Sequence, residues 1–207
     1  MLADHIGHIF FRDIPELRYI GRLALPMFAY CTARGVFFSR QKGTLEKYKR
    51  SLFVFAVLSQ LPFHFFADGK LNIGAVWFIS VLLLDAAAVC RSSAGAAVLA
   101  GGIITSSLLL NLDYGLYGVL FPCVFYFFMF EKRNIVYLYI SFAALFGLFV
   151  LMHKGGGTIQ VFTFFSIPLI MILERYDHLI KAGKLFFYSF YPLHITVLLL
   201  INYFIRI

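Results

Sequence analysis

The stretch Ala3–Phe28, ADHIGHIFFRDIPELRYIGRLALPMF, joins two apolar segments through a polar turn. Each segment carries ionisable residues that a lipid-facing helix avoids: Asp4 and His5 in the first, and Arg22 in the second. An arginine inside a hydrophobic span costs about 2.5–3.5 kcal/mol on insertion scales, so it normally faces a protein partner or a wet cavity. The stretch therefore predicts a polar site inside a membrane. The alternative is that Arg22 reaches the lipid headgroups from near its helix end.

The composition of the whole chain is that of a polytopic membrane protein. Apolar residues make up 61% of the 207 residues and charged residues 14%, whereas soluble domains have about 45–50% and about 25%. At roughly 20 residues per span, the chain has room for about eight or nine helices and for no separate soluble domain. We therefore predict an all-α bundle of transmembrane helices that forms a single domain over residues 1–207.

Successive apolar runs give the positions of the predicted spans. The first run, Met1–Phe11, is too short to cross about 30 Å as a helix, so we expect a short first helix and a truncated or misassigned start. The later spans are predicted at Leu17–Phe38, Ser51–Phe66, Asn72–Val89, Ala94–Leu110, Tyr114–Phe130, Asn134–Met152, Thr158–Leu173 and Lys184–Ile205.

The net charge of +8 comes from basic residues in the loops between these spans. The segment 39–50 carries five basic residues against Glu46, and the positive-inside rule places it in the cytoplasm. Alternating sides from there gives eleven basic residues to the cytoplasmic loops and five to the outer loops. The cytoplasmic set is Arg40, Lys42, Lys47, Lys49, Arg50, Arg91, Lys132, Arg133, Arg175, Lys181 and Lys184, and the outer set is Arg12, Arg18, Lys70, Lys154 and Arg206. This pattern indicates multi-pass insertion among membrane lipids and no nucleic-acid partner.

The cysteines give no sign of a metal site. Cys31, Cys90 and Cys123 each lie in or beside an apolar run, without a CxxC motif or metal-ligand spacing. We therefore interpret them as reduced, buried, small apolar residues and predict no metal.

Several further polar residues lie near the outer ends of the predicted spans. They are Gln60, His64, Asn72, Asn111, Asp113 and Tyr114. Because buried polar groups need partners, the simplest arrangement brings them together with Asp4, His5 and Arg22 around one cavity. The alternative is an ordinary hydrated rim of polar residues beside the loops.

His194 lies deeper, in the last span, within the run FFYSFYPLH at 186–194. Pro192 in that run frees a backbone carbonyl one turn earlier, which membrane helices tolerate where a cavity or a neighbour satisfies it. A histidine in such a place is either a site residue or a hydrogen-bonded structural residue.

These segments also carry a family resemblance. MLADHIG, IGRLALPMFAY, the basic loop, FAVLSQLPF, LNIG, DYGLYGVL and FFYSFYPLHI, in this order, resemble the TraX family of membrane proteins from Met1 to about Leu200. That family is named for a conjugative-plasmid protein that N-acetylates pilin, and it is related to the type 3 membrane acyltransferases. Here Ile73 and Gly74 follow Asn72, where relatives tend to carry larger apolar residues.

The resemblance implies an acyl transfer in a bacterial cytoplasmic membrane. The implied donor is acetyl-CoA, and the implied acceptor is a pilin N-terminus or another envelope component. The motif positions are His5, Arg22, Asn72, Tyr114 and His194. In related acyltransferases a basic residue lies about three helical turns before the first-span histidine, a position that falls before Met1 and agrees with the expected truncated start.

Acyl transfer needs a base for the nucleophile's proton and a positive or hydrogen-bonding group for the oxyanion. We predict His5 as general base, with Asp4, Arg22 and His194 as the other catalytic residues. Arg22 could bind the phosphates of coenzyme A, stabilise the transition state, or pair with Asp4. The basic segment 39–50 is the other candidate for those phosphates. The predicted substrate-binding residues are Gln60, Asn72, Asp113, Tyr114 and Tyr191.

Two functions of other classes remain open. A small-molecule transporter would use the same polar residues as a substrate or proton path, although no paired broken spans indicate an inverted repeat. A non-enzymatic assembly factor for pili or envelope components would need no catalytic residues.

Overall fold

A computed structural model describes residues 1–67, 69–89, 93–152, 158–176 and 183–206. The helices are α1 Leu2–Ile9, α2 Pro15–Arg22, α3 Ala24–Gln41, α4 Leu45–Phe66, α5 Ile73–Val89, α6 Ser93–Leu109, α7 Gly115–Phe125, α8 Ile135–Met152, α9 Ser166–Arg175 and α10 Lys184–Arg206. A π-helical segment, Tyr126–Glu131, follows α7, and a 3₁₀ segment, Thr158–Phe165, precedes α9. The prediction of an all-α fold is confirmed. The predictions that involve Cys90, Arg91, Lys154 and Lys181, and the side chains of Lys184 and Arg206, lie outside the described residues.

Two of the described helices are long and apolar enough to cross a membrane. They contain the stretches Ile135–Met152 in α8 and Leu185–Ile205 in α10. Three further apolar helical stretches are shorter: Ile73–Ala86, Ala97–Leu109 and Gly115–Glu131. The chain is therefore helical with two clear candidate spans, and the full count of eight or nine spans stays a prediction.

The core of the bundle lies around α5, which packs against α3, α4, α6 and α7. On α4, Leu52, Phe55 and Phe63 face this core, whereas Leu58 and Leu61 are 66% and 70% exposed. The helix therefore has an apolar face toward its neighbours and a second apolar face toward the surroundings. Apolar surface on both sides is typical of a helix that packs in a bundle and also faces lipid.

The predicted span Leu17–Phe38 is wrong as a single helix, because the chain breaks at Leu23 between α2 and α3. Pro26 has no N–H to donate to the carbonyl of Arg22, four residues earlier, and its ring crowds that carbonyl. The helix therefore ends one turn before the proline. This break makes α2 a short helix that can fold back against α1.

Candidate active site

Helices α1 and α2 pack as an antiparallel pair at two glycines. A Cβ at Gly7 would lie 3.0 Å from the Cβ of Leu17, and one at Gly21 would lie 2.3 Å from the Cβ of Asp4. The distance at Gly21 is too short for any side chain. Glycine there allows the backbone of α2 to approach Asp4 closely, and this approach fixes where the ionisable residues of α1 lie.

Asp4 binds two arginines of α2 through one carboxylate oxygen. Its Oδ1 lies 3.1 Å from Arg18 Nε and 3.2 Å from Arg22 Nη2. Arg22 is buried, whereas the Arg18 side chain is 35% exposed. The carboxylate thus compensates the buried guanidinium, which would be very costly without a partner. Arg18 does not lie in a loop as predicted, because it belongs to α2, four residues before Arg22 and on the same face.

Arg22 also reaches the start of α7. Its Nη1 donates to the Tyr114 hydroxyl over 3.0 Å. Tyr114 has a left-handed backbone, with φ +62°, at the N-cap of α7. Backbone hydrogen bonds between Leu71 and residues 111 and 113 hold this loop in place. Because the Tyr114 oxygen accepts from Arg22, its own O–H remains available to donate to a substrate.

The two site histidines are hydrogen-bonded to each other. His5 Nδ1 lies 2.9 Å from His194 Nε2, and His194 Nδ1 lies 2.7 Å from the carbonyl oxygen of Phe190. A carbonyl can only accept, so His194 carries its proton on Nδ1 and accepts on Nε2. His5 must then donate from Nδ1, which leaves the lone pair of a neutral His5 on Nε2. The hydrogen-bond chain fixes the tautomer that a base at His5 Nε2 requires.

Aromatic rings surround this histidine pair. The His5 ring lies 4.6 Å from the Phe66 ring, and the His194 ring lies 4.9 Å from Phe190 and 5.6 Å from Tyr191. Both histidines are 8% exposed. An apolar groove of about 360 Å³ along α10, which includes Ser189 and Leu193, reaches His194. The pair therefore lies in an apolar enclosure that is open on one side.

Asn72 and Gln60 form hydrogen bonds with other groups of the fold. Asn72 Oδ1 accepts from the backbone N–H groups of Gly74 and Ala75, and its Nδ2 donates to the Ala56 carbonyl and to Gln60 Oε1. Gln60 Nε2 donates to the Lys70 carbonyl. Asn72 is fully buried and caps α5. Its polar atoms are all occupied, so the geometry gives both residues a structural role and offers no support for their predicted binding of substrate.

Asp113 and Tyr191 both lie beside the site. Asp113 lies between α6 and α7, and burial raises its pKa to about 6. The positive charges of Lys70 and Arg22 lower this pKa in part, and the negative charge of Asp4 raises it. Tyr191 is buried and forms a wall beside both histidine rings. The structure therefore brings six of the predicted site residues to one region: Asp4, His5, Arg22, Tyr114, Tyr191 and His194. Their catalytic and binding roles stay predictions.

Three buried polar residues next to this region are not singled out by the sequence: Tyr117, Gln160 and Thr163. Tyr117 follows Tyr114 by one turn of α7, and this spacing was the available signal. Gln160 and Thr163 lie in the 3₁₀ segment, where residues three apart face the same way. The sequence had predicted an ordinary span there, so the common face of these two residues could not be recognised.

Two of the five basic residues in segment 39–50 form hydrogen bonds or ion pairs within the fold. Arg40 donates to the Tyr126 hydroxyl and to the Leu84 carbonyl, each over 2.6 Å. Lys49 pairs with Asp85 over 2.7 Å and with Glu46 over 2.5 Å. The remaining basic residues of this segment are exposed: Lys42, Lys47 and Arg50. These three are the ones that remain available for phosphate groups.

Within the described ranges, no group of three or more His, Cys, Asp or Glu side chains lies close enough to hold a metal ion. The side chains brought together at the site are histidine, arginine, tyrosine and aspartate. Together, fold and site define a largely apolar helical protein with two candidate membrane spans and a buried histidine pair beside a compensated arginine.

The chain belongs to the TraX family: the family profile described as TraX protein matches residues 1–202. The predicted family resemblance is thus confirmed. A curated relative, the probable fimbrial assembly protein FimC, serogroup H1, of Dichelobacter nodosus, is 28% identical over 96% of this chain and 89% of its own length. No solved structure matches the chain significantly.

Proposed function

We propose that this protein is a multi-pass acyltransferase of a bacterial cytoplasmic membrane that acetylates a pilin N-terminus or another envelope acceptor from acetyl-CoA. Membership of the TraX family and the fimbrial name of the relative support a role connected with pili. The observation that carries the enzymatic part is the chain from Phe190 through His194 to His5, because it fixes a lone pair on His5 Nε2. A fixed lone pair on Nε2 is what a general base at His5 requires.

In this proposal His5 Nε2 takes the proton of the acceptor amine while the amine nitrogen bonds to the thioester carbonyl carbon. His194 accepts the hydrogen bond from His5 Nδ1 throughout, so it orients the ring and stabilises the imidazolium. The C–S bond then breaks, and the proton on His5 passes to the departing thiolate. Atoms and charges balance without a further reactant.

The Tyr114 hydroxyl is suited to hold the oxyanion of the tetrahedral intermediate. Arg22 donates to its oxygen, which strengthens the remaining O–H as a donor. Removing one donor of this kind from an oxyanion hole costs about 10²–10³-fold in rate. Arg22 thus acts through Tyr114, and Asp4 keeps the guanidinium compensated.

Acetyl-CoA is the donor that fits a basic cytoplasmic end. Phe66, which contacts His5, lies at the end of α4, about 25 Å at 1.5 Å per residue from the exposed Lys47 and Arg50 near its start. These two residues and Lys42 are therefore suited to attract the anionic donor to this end of the bundle, while Arg40 and Lys49 hold the helices together. The apolar enclosure around the histidines excludes water from the thioester. Such exclusion favours transfer to an amine over hydrolysis.

Release of thiol from acetyl-CoA by the purified protein in lipid nanodiscs tests the proposal. We expect release in the presence of an amine-bearing pilin peptide and a loss of about 10²–10⁴-fold in His5→Ala. His64→Ala is the matched control, because His64 is an exposed histidine of α4 and should leave the rate unchanged. Equal rates in His5→Ala and the wild type would overturn the assignment of the base.

The relative's printed name favours one second candidate, a non-enzymatic factor in fimbrial assembly. In that case the purified protein would release no thiol with any acceptor. Cells carrying His5→Ala would still assemble pili as long as the protein accumulates in the membrane.

A further inference from the structure

Three buried polar atoms near the site have no hydrogen-bond partner in the described part of the chain: Arg22 Nε, Tyr117 Oη and Gln160 Oε1. The three residues are only 7%, 1% and 2% exposed. Each buried polar group without a hydrogen-bond partner lowers the stability of the fold. Three such groups in one region call for a single explanation that covers all of them.

Side-chain contacts that link α2, the start of α7 and the 3₁₀ segment place these three residues in one region. The Tyr19 ring stacks on the Phe162 ring with centroids 4.4 Å apart, which joins α2 to the 3₁₀ segment. Arg22 lies three residues after Tyr19, on the same side of α2. Arg22 also donates to Tyr114, the N-cap of α7. Tyr117 lies one turn further along α7 and interacts electrostatically with Arg22.

The 3₁₀ segment completes the arrangement. Thr163 lies close to the Tyr117 hydroxyl but outside hydrogen-bond geometry, and its own hydroxyl donates to the Gln160 carbonyl oxygen over 2.7 Å. Gln160 and Thr163 are three residues apart in a 3₁₀ helix, so their side chains share one face. The Gln160 side chain therefore lies on the face that meets Tyr117.

The chemistry of the three atoms selects a ligand group. Arg22 Nε–H donates, Gln160 Oε1 accepts, and the Tyr117 hydroxyl can do either. A complementary group must therefore offer both an acceptor and a donor. The charge of Arg22 is already compensated by Asp4, and this compensation favours a neutral group over an anion at Arg22 Nε.

We propose that Arg22, Tyr117 and Gln160 form a binding subsite for a secondary amide, whose carbonyl accepts from Arg22 and Tyr117 and whose N–H donates to Gln160. The choice of amide source rests on the proposed acyl transfer. The pantetheine arm of acyl-CoA carries secondary amides, and so does the backbone of a peptide acceptor. The subsite itself rests on the three unpaired atoms and stands without the transferase activity.

Two variants remove the unpaired atoms with little change of shape: Tyr117→Phe and Gln160→Met. Tyr137→Phe and Gln41→Met are the matched controls, since both residues are exposed. Because no residue in the described ranges pairs with these atoms, we expect the melting temperature of the unliganded variants to equal or exceed that of the wild type. A fall in both variants relative to their controls would show that the atoms are paired internally and would overturn the proposal.

Binding to the full-length protein in nanodiscs is then measured with pantetheine, with N-acetylalanine methylamide, and with adenosine 3′,5′-bisphosphate, which lacks an amide arm. We expect at least one amide probe to bind about tenfold more weakly to each variant, as loss of one hydrogen bond predicts. The bisphosphate should bind equally to all variants. Weaker binding of pantetheine assigns the donor arm, and weaker binding of the peptide analogue assigns the acceptor.

Unchanged affinity for both amide probes would refute the subsite, whatever the transferase assay shows. Conversely, amide binding that depends on Tyr117 and Gln160 in a protein that releases no thiol would refute the proposed function and leave the subsite in place. The two failures are therefore distinguishable.

Discussion

Replacing His194 by alanine removes the acceptor that holds the His5 proton on Nδ1. The His5 N–H would then be unpaired in a buried place, at a cost in stability of about 1–3 kcal/mol. The ring could also adopt the other tautomer, whose Nε2 carries the proton and cannot accept another. Because loss of a general base costs about 10²–10⁴-fold, we expect His194→Ala to lower acyl transfer by at least about 100-fold.

His194→Gln is the discriminating variant, since its amide oxygen can accept from His5 Nδ1 and its amide nitrogen can donate to Phe190. We expect it to retain a rate within about tenfold of the wild type. The assay is thiol release from acetyl-CoA, combined with nitrogen-15 chemical shifts of the His5 ring, which distinguish protonated from unprotonated nitrogens. Equal inactivation by alanine and glutamine, with both proteins accumulating normally, would refute the role of the tautomer. Full activity of His194→Ala would do the same.

Three further predictions follow from the contacts of single residues. Asn72→Ala removes the cap of α5 and leaves several buried backbone groups unpaired, so the free energy of unfolding should fall by about 2–4 kcal/mol in a denaturation series. Gly21→Ala should destabilise the protein by at least about 1–3 kcal/mol and lower activity, because its Cβ would collide with Asp4; Gly147→Ala, in open space, is the control. Asp113→Asn should melt at a higher temperature than the wild type at pH 7.5, since a carboxyl with a pKa raised to about 6 is charged at a cost above that pH. The difference should shrink as the pH falls from about 6 towards 4, and a constant difference would contradict the assignment.

Much of the fold follows from the apolar runs, which place α4, α5, α6, α8 and α10 to within a few residues, apart from the charged first two turns of α4. The break at Leu23 was less visible because Pro26 also occurs in the first turn of many helices, where it is tolerated. The 3₁₀ segment was not predictable either. Its apolar composition is compatible with an ordinary helix, and packing against α2 and α8 accompanies the tighter winding.

The residues of the candidate site also fall into two groups, those that the sequence could identify and those that it could not. Asp4, His5 and Arg22 could be selected from the sequence because charge in an apolar run is unusual whatever its partners are. The roles of Asn72 and Gln60 could not, since a buried amide looks the same in a sequence whether it caps a helix or binds a substrate. Only the partners of each atom decide between these roles, and those partners come from segments distant in the chain.

The helix break and the buried arginine are connected through the helix dipoles. Asp4 lies in the first turn of α1 and Arg22 in the last turn of α2, and each charge there opposes the partial charge of its helix end. Such placement contributes about 0.3–1 kcal/mol for each residue. In an unbroken helix from Leu17 to Phe38, Arg22 would lie within the helix and lose that contribution. Pro26 therefore ends α2 at Arg22. As a result, the C-terminus of α2 and the N-terminus of α1 both lie where Arg22 and Asp4 pair.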